Sequence, residues 1–258
     1  MPSRPSTERT HGYSLLELAL VLLVLAVLAS GLAMPLAAQV AQKRGEETRR
    51  RLDEARDVVL AFAATHGRLP CPASDASRGE ESFEAAGDAS NGRCAHFTDG
   101  FLPGAALGLS PLDAEGYVRD AWDSPRNRIR YAVYGGTVNA VAQALTRTNG
   151  MQAATLPALG AQSRYLFVCA SAAGATAGGC GPAANQLTRR AAFVLLSTGA
   201  NGALVPAAGG DEARNLEGDG TFVTHDASGD PARPFDDVVQ WVPVHLVVHR
   251  LITAGRLP

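Results

Sequence analysis

A single carboxylate, Glu17, stands within an apolar segment near the N-terminus. Glu17 follows Gly12 by five residues, and the 25 residues from Leu18 to Gln42 contain no charged side chain. A carboxylate among apolar groups is unfavourable unless a cation compensates it, by about 3 kcal/mol at the centre of a lipid bilayer. The position of Glu17 therefore predicts either a positively charged partner or a side chain that reaches the edge of a membrane.

Four cysteines follow the apolar segment, at positions Cys71, Cys94, Cys169 and Cys180. An even number of cysteines in an exported domain favours disulfides, and four cysteines allow three connectivities. Pairing neighbours in sequence would link residues 23 and 11 positions apart. Each such link would stabilise the fold by about 3 kcal/mol through the entropy of the unfolded chain. A zinc site built from all four cysteines and free thiols are the alternatives, although the sequence has no C-x2-C pair.

Residues that could support catalysis are scattered along the chain. His245 and His249 are four residues apart and could form one face of a metal site, but no HExxH motif accompanies them. Ser163 and Ser197 lie outside any nucleophile-elbow pattern. The glycine-containing segments Gly104–Gly108 and Gly199–Gly202 lack the Lys-Ser/Thr of a phosphate-binding loop. The sequence therefore predicts that the protein is not an enzyme.

The composition limits the class of protein. The chain has 258 residues, 46% of them hydrophobic, which is enough for one sizeable domain with its own core. Pervasive disorder is excluded, because charged residues make up only 19% of the chain. The 23 basic and 25 acidic residues give a net charge of −2, so bulk electrostatics do not favour nucleic acid as a partner.

The apolar segment is long enough to predict a membrane-spanning helix. As a helix, its 25 residues would extend roughly 37 Å, compared with roughly 30 Å of bilayer hydrocarbon. A cleaved secretory signal ending at Ala29-Ser30-Gly31 and a buried core helix are the alternatives. From Gly45 to His66 the pattern becomes amphipathic, and one stripe holds Leu52, Ala55, Val59 and Phe62. We expect one helix from Ser14 to His66, with a separate helix after Gly45 as the alternative.

The remainder of the chain has an α+β pattern. Runs of apolar residues predict strands at Arg128–Tyr134, Tyr165–Ala170, Ala191–Ser197, Thr221–Val223 and Asp237–Trp241. Short helices are predicted at Thr137–Leu145 and after Pro243. Residues 71–100 and 199–236 are rich in polar and small residues, and they are predicted to form loops.

The residues around Glu17 form a recognisable motif. The segment Gly12-Tyr13-Ser14-Leu15-Leu16-Glu17-Leu18 resembles the processing site of type IV prepilins and type II secretion pseudopilins. The resemblance implies cleavage after Gly12 by a membrane-embedded prepilin peptidase and N-methylation of the new terminus at Tyr13. It also implies that Glu17 pairs with the terminal ammonium of an adjacent subunit in a fibre, where loss of one partner would leave a buried charge uncompensated.

Two later segments extend the resemblance. Asp120-Ala121-Trp122-Asp123-Ser124-Pro125, followed by Arg130-Tyr131, is similar to a turn and strand of the major pseudopilin. Residues 193–202 and 236–241 are similar to its last strand, glycine turn and C-terminal motif. The resemblance implies an α+β, pilin-like fold in which a long N-terminal helix, membrane-spanning in its first half, packs on a small antiparallel sheet. Asp123 in place of glycine and an additional C-terminal helix depart from the pattern, and a minor pilin-like subunit fits equally well.

Calcium is the one cofactor that the resemblance implies, because the C-terminal loop of major pseudopilins binds it. Asp236 and Asp237 match that motif, and Asp219 lies in the same loop. Carboxylate oxygens are the ligands that calcium prefers, and this loop contains enough of them for a six- to eight-coordinate ion. A solvated acidic loop without an ion is the alternative.

The resemblance also implies an organisation and a location. Residues 1–12 would be a leader peptide, residues 13–42 a transmembrane and assembly helix, and residues 43–258 a periplasmic globular domain. The protein would enter the bacterial inner membrane and then a pilus or pseudopilus. Its partners would be the prepilin peptidase, other pilin or pseudopilin subunits, the inner-membrane assembly platform and the lipid bilayer. A membrane-tethered periplasmic domain that binds a ligand or performs catalysis is the alternative.

One charge pattern opposes this orientation. More basic residues follow the apolar segment than precede it, and the positive-inside rule would place the C-terminal domain in the cytoplasm. The flanking basic residues are Lys43, Arg44, Arg49, Arg50 and Arg51 after the segment, and Arg4 and Arg9 before it. Long domains can be translocated regardless of charge, so the processing motif and the cysteines determine the prediction.

Overall fold

The structure, a computed structural model, describes residues 14–122, 127–230 and 233–258. Within the first helix, the side chains of residues 28–36 are not part of this description. The chain divides into two compact units, residues 1–44 and residues 45–258. All of the sheet and most of the described core belong to the second unit.

Helix α1 comprises Leu15–His66. It begins after Ser14, whose Oγ accepts a hydrogen bond from the backbone N–H of Glu17 at 3.2 Å. Such a side-chain cap satisfies one of the N–H groups that have no partner within the helix. The helix ends at Gly67, which has a φ of 70° and donates its N–H to the carbonyl of Ala63. A glycine in the left-handed region is a common helix terminator, and the prediction that Gly67 ends the helix is confirmed.

The predicted fold class is wrong in two respects. Within the described part of the chain, no helix has both the length and the apolar character needed to cross a membrane. The prediction that the first half of the N-terminal helix spans a membrane is therefore wrong. The helical stretches described in full are residues 15–27 and 37–66, and neither meets that requirement. The sheet is also larger than expected and is not purely antiparallel, so the fold is mixed α/β with a curled sheet.

Six strands among the described residues form the sheet, in the order β1-β2-β4-β3-β5, and β6 pairs with β4. Their bounds are β1 Gly100–Phe101, β2 Arg130–Val133, β3 Leu166–Cys169, β4 Gln186–Ser197, β5 Thr221–Val223 and β6 Val238–Pro243. Strand β4 is the centre of the sheet, because β2, β3 and β6 all pair with it in antiparallel register. The parallel pair is β3 with β5, in which Phe167 lies opposite Thr221.

In the described part of the chain, four short α-helices follow α1. Their bounds are α2 Gly150–Ala154, α3 Leu156–Ala161, α4 Asp211–Asn215 and α5 Val244–Thr253. The helix predicted at Thr137–Leu145 is wrong, because this segment forms turns and Asn139, Ala140 and Gln143 have positive φ values. The closing helix after Pro243 is confirmed, and it buries Val244, Val247 and Leu251.

The main core lies between the second part of α1 and one face of the sheet. Leu52, Ala55 and Val59 are fully buried there, as the amphipathic stripe predicts. Phe62 is only partly buried and stacks on His66 instead, with ring centroids 4.0 Å apart. The side chains of β4 alternate between two hydrophobic clusters, as expected for a strand covered on both faces. Phe193 and Leu195 join the cluster on the helix side, and Ala191 and Val194 join the cluster on the other side.

Candidate functional site

The start of α1 contains the described part of the predicted processing motif. Gly12 and Tyr13, the predicted processing residues, lie outside the described residues. Glu17, the predicted assembly residue, is exposed in the first turn of α1, where a negative charge interacts favourably with the helix dipole. Ser14 and Glu17 also match the S-x-x-E pattern of a helix N-terminus. The sequence analysis missed this local role, although the pattern is visible in the sequence.

Two disulfides join cysteines that are neighbours in sequence. Cys71 pairs with Cys94, and Cys169 pairs with Cys180, with Cα–Cα distances of 5.3 and 5.4 Å. The prediction of disulfides is thus confirmed, and of the three possible connectivities the structure has the sequence-local one. All four cysteines are buried.

A buried ion pair reinforces the first disulfide loop. The Arg68 guanidinium contacts the Glu81 carboxylate at 2.6 and 2.7 Å, and both side chains are largely buried. Glu81 Oε1 also accepts the backbone N–H of Cys71 at 2.6 Å. Removing one partner from such a pair would leave an uncompensated charge in the interior. The loop after Cys71 is therefore held by both covalent and ionic contacts.

An acidic cluster lies where the C-terminal loop joins β6. Glu212, on α4, approaches Asp236 and Asp237, which precede β6, and one carboxylate oxygen of each residue lies within 4.8 Å of the others. The structure thus brings together two of the three predicted calcium ligands. Among the residues that the structure describes, this is the one group of three or more potential metal ligands.

Asp219, the third predicted ligand, has different partners. Its Oδ2 forms an ion pair with Arg214, and its Oδ1 accepts the backbone N–H of Thr221 at 3.0 Å. Glu212 takes the third place in the cluster. No local pattern in the sequence indicates Glu212, because it lies 24 residues before Asp236 and the fold alone brings the two together.

Hydrogen bonds fix part of each carboxylate in the cluster. Asp236 Oδ2 accepts the backbone N–H groups of Ala200 and Asn201 at 3.0 and 3.1 Å. Glu212 Oε1 accepts the backbone N–H of Asp236 at 3.0 Å and the Asn201 side-chain amide at 2.8 Å. These bonds orient two carboxylates toward one another even though their charges repel.

The third carboxylate and one orphaned oxygen complete the cluster. Asp237 Oδ2 accepts the Asn215 amide at 2.7 Å. Asp236 Oδ1 is buried and has no hydrogen-bond partner. Since buried polar atoms are nearly always paired, this unpaired oxygen is available to coordinate a cation.

The electrostatics of the cluster favour a cation. Burial, followed by the nearby charges of Glu212 and Asp236, raises the pKa of Asp237 to about 7. Burial also raises the pKa of Asp236. Desolvated carboxylates that repel one another are stabilised in their charged form by a bound cation. The oxygen-only donor set and the orphaned Asp236 Oδ1 therefore fit calcium, with the remaining coordination positions left for other oxygen ligands.

The glycine turn after β4 is shaped by the same cluster. Gly199 has a φ of 63°, and a Cβ atom there would lie 2.2 Å from Asp236 Oδ1. Only glycine fits this close approach. The segments 193–202 and 236–241, which both resemble parts of the major pseudopilin, are antiparallel neighbours in which Val194 lies opposite Trp241.

Asp120, which begins the segment similar to the pseudopilin turn, forms a buried hydrogen-bonded node, while Asp123, Ser124 and Pro125 of that segment lie outside the described residues. Asp120 Oδ2 accepts the Ser197 hydroxyl at 2.6 Å and the Asn127 amide at 3.2 Å, and burial raises the pKa of Asp120. The carbonyl of Asp120 accepts the Arg51 guanidinium at 2.7 Å. The node thus links the second part of α1 to the end of β4, which is a structural role.

The histidines do not form a catalytic group among the described residues. His245 and His249 are exposed on α5. His225 Nε2 lies 3.1 Å from Asp211 Oδ2, while its Nδ1 lies 2.7 Å from the carbonyl of Asp226. Both ring nitrogens of His225 therefore have partners, and neither is positioned to act as a free base.

Comparison of the chain with known proteins found no matching family model, no matching curated protein and no matching solved structure.

Proposed function

We propose that the protein is a structural subunit of a type IV pilus or type II secretion pseudopilus. In this proposal, prepilin peptidase cleaves the chain after Gly12, and the new N-terminus is methylated at Tyr13. The mature subunit assembles through its N-terminal helix, and the globular unit decorates the fibre. The processing-site motif at residues 12–18 is the sequence basis of the proposal.

The observation that carries the proposal is the exposure of the first turns of α1. Ten of the thirteen residues from 15 to 27 are large, apolar and exposed, beginning with Leu15 at 89% and Leu16 at 81%. Contiguous exposed apolar surface of this extent indicates an interaction site. Packing against the equivalent helices of neighbouring subunits would cover it, which is what an assembly helix requires.

Glu17 gives that packing its specificity. Its carboxylate lies among the exposed apolar residues of the first turns. Once residues 1–12 are removed, a neighbouring subunit would present its terminal ammonium group to the Glu17 carboxylate. The two opposite charges would then compensate each other inside an apolar environment. A subunit packed in the wrong register would leave both charges unpaired.

The disulfides support export to an oxidising compartment. Two disulfides form from four cysteines, and no free cysteine is left in the chain. Structural disulfides persist in the periplasm and at the cell surface and are rare in the cytosol. We therefore place the second unit on the periplasmic side of the inner membrane in this proposal.

Calcium is the proposed cofactor. Glu212, Asp236 and Asp237 would hold the ion, which would supply positive charge to three converging carboxylates. Through these ligands, α4, the turn after β4 and the start of β6 would be tied together. The role would be structural, since the ion would order the C-terminal loop.

Paired substitutions at the start of α1 test the proposal. Glu17→Ala should abolish incorporation into fibres, measured by immunoblotting of sheared fibre fractions from cells that express the assembly machine. Ser14→Ala is the matched control, because it removes the helix cap, worth about 1 kcal/mol, and keeps the carboxylate. Wild-type incorporation of Glu17→Ala would contradict the proposal, as would equal defects in both variants, because Glu17 would then serve only the helix end.

A further inference from the structure

A cavity in the second unit lies outside the features already assigned. It has a volume of about 320 Å³ and opens beside β2 and the turn after β4. Its lining includes two arginines, one exposed aspartate, one aromatic ring and one buried hydroxyl, from Arg128, Arg130, Asp75, Phe101 and Thr198. This volume is at the lower end of the range for small-molecule pockets and suits a small ligand or one side chain.

The two arginines of the cavity differ in their pairing. Arg128 is fully engaged, because it forms ion pairs with Asp113 at 3.1 Å, with Asp75 at 3.8 Å and with Glu115. Its guanidinium also lies 4.0 Å from the centre of the Tyr117 ring. These contacts make Arg128 part of the wall of the cavity.

Arg130 has donors to spare. Its guanidinium makes one long hydrogen bond, to the carbonyl of Asp99 at 3.4 Å, and lies 5.3 Å from the centre of the Phe101 ring. Asp75, Asp99 and Asp237 attract it from a distance, but no carboxylate in the described part of the chain forms an ion pair with it. A guanidinium carries five N–H donors in a planar fork and remains charged in proteins. Arg130 is therefore a partly buried cation whose donor capacity is mostly unused.

Thr198 supplies a second unused polar group. Its side chain is 8% exposed, and its Oγ1 is buried without a hydrogen-bond partner. Arg130 lies opposite Leu196 in the β2–β4 register, and Thr198 follows two residues later along the chain. Gly202 packs against this hydroxyl on one side, because a Cβ atom there would lie 2.2 Å from Thr198 Oγ1. A buried hydroxyl without a partner indicates a position that a ligand atom can fill.

We propose that this cavity binds a carboxylate group. The Arg130 guanidinium would donate to both carboxylate oxygens, and the Thr198 hydroxyl would donate to one of them. The Phe101 ring holds the guanidinium in place, and Leu216 provides an apolar wall for the carbon chain of the ligand. Planar two-point pairing is the strongest form of arginine recognition and selects carboxylates by geometry as well as by charge. The carboxylate would belong either to a free organic acid or to an acidic side chain of a second copy of this chain.

The proposed site adjoins the acidic cluster, so an experiment must separate the two. Thr198, Gly202 and Leu216 also line a smaller cavity beside Glu212 and Asp237. A cation held by the cluster could attract a carboxylate without help from Arg130. The protein is therefore passed over a chelating resin and measured in a metal-free buffer, which removes that route without adding a soluble carboxylate.

The first arm tests a free carboxylate. Succinate is titrated into the purified full chain by isothermal calorimetry at constant ionic strength. We expect saturable binding that Arg130→Gln weakens by about tenfold or more, and that Arg164→Gln leaves unchanged, since Arg164 is an exposed arginine elsewhere. Thr198→Val should weaken binding and Thr198→Ser should retain it, and this pair keeps the test valid if Arg130→Gln fails to fold.

The second arm tests an acidic side chain of another copy. Sedimentation velocity over a range of protein concentrations should show self-association that both Arg130→Gln and excess succinate reduce. Saturable succinate binding without that effect would assign the site to a free acid, and the effect on self-association would assign it to a second copy. Unchanged succinate binding and unchanged self-association in Arg130→Gln would overturn the proposal, and so would an equal response to phosphate or chloride.

Discussion

Ser197 Oγ and Asp120 Oδ2 lie 2.6 Å apart although 77 positions separate them in sequence, and both side chains are buried. This hydrogen bond joins the end of β4 to the turn that also receives Arg51 from α1. Asp120 and Ser197 belong to two separate segments that resemble pseudopilins, and in this structure they meet at a structural contact.

Loss of the Ser197 hydroxyl should weaken the fold. Ser197→Ala leaves the desolvated Asp120 carboxylate with one donor fewer, and we expect the free energy of unfolding to fall by about 1–3 kcal/mol. Urea denaturation followed by circular dichroism measures the change. Ser163→Ala is the control, because Ser163 is exposed, and it should change stability by less than about 0.5 kcal/mol. Equal effects of the two substitutions would show that the buried hydrogen bond does not stabilise the fold.

Calcium should raise the melting temperature of the protein. At a free calcium concentration about 100 times the dissociation constant, one site adds about 2.7 kcal/mol of stability. Asp237→Asn should abolish the calcium-dependent increment, measured by calorimetry in calcium and in EDTA. Asp219→Asn should retain it, because Asp219 pairs with Arg214 outside the cluster. Loss of the increment in Asp219→Asn and its retention in Asp237→Asn would reverse the assignment.

Without calcium, stability should fall as the pH rises from about 4 to about 7. Burial and the charges of Glu212 and Asp236 raise the pKa of Asp237 to about 7 from its ordinary value of 3.8. Between those values the folded state keeps a proton that the unfolded state releases, so the stabilisation present below pH 3.8 is lost on approaching pH 7. The loss would be at most about 4 kcal/mol.

Asp237→Asn isolates that pH dependence. The amide cannot ionise, so the variant in EDTA should lose less stability than the wild type over the same interval. Denaturant titrations at several pH values provide the measurement. The prediction would be contradicted if the stability of the wild type rose between pH 4 and pH 7 with the same slope as that of the variant. Asp237 would then ionise in the folded protein without loss of stability.

The first disulfide and the Arg68–Glu81 ion pair should stabilise the same loop in a coupled way. Replacing Cys71 and Cys94 with serine removes about 3 kcal/mol of stabilisation by the entropy of a chain link 23 residues long. The Arg68–Glu81 ion pair beside it should keep the local structure, so Glu81→Gln in the disulfide-free background should destabilise the protein further. Thermal melts of the single, double and triple variants give the coupling, and strictly additive losses would indicate that the two features act independently.

Local patterns predicted the strands well. The strand predicted at Thr221–Val223 matches β5, and the runs at 128–134, 165–170, 191–197 and 237–241 each contain most or all of a strand or lie within one. These runs are rich in β-branched and aromatic residues, and tertiary packing agrees with their propensity. The face of α5 that contains Val244, Val247 and Leu251 was predictable for the same reason.

Features that depend on tertiary structure could not be predicted from local sequence patterns. The alanine-containing segment 137–145 favours a helix by propensity, but its backbone turns at three residues with positive φ. The parallel pairing of β3 with β5 depends on a long connection through β4, which no local pattern specifies. Glu212 reaches the acidic cluster only through the fold. Apolar composition predicted a membrane-spanning helix that the described structure does not contain.

The N-terminus of the mature protein provides the most direct test of the proposed function. Intact-mass and N-terminal peptide mass spectrometry should be applied to the protein isolated from sheared fibres of its native assembly system. The proposal predicts a chain that begins at Tyr13 and carries one additional methyl group on its α-amine. A fibre-incorporated protein that still contains residues 1–12 would contradict it.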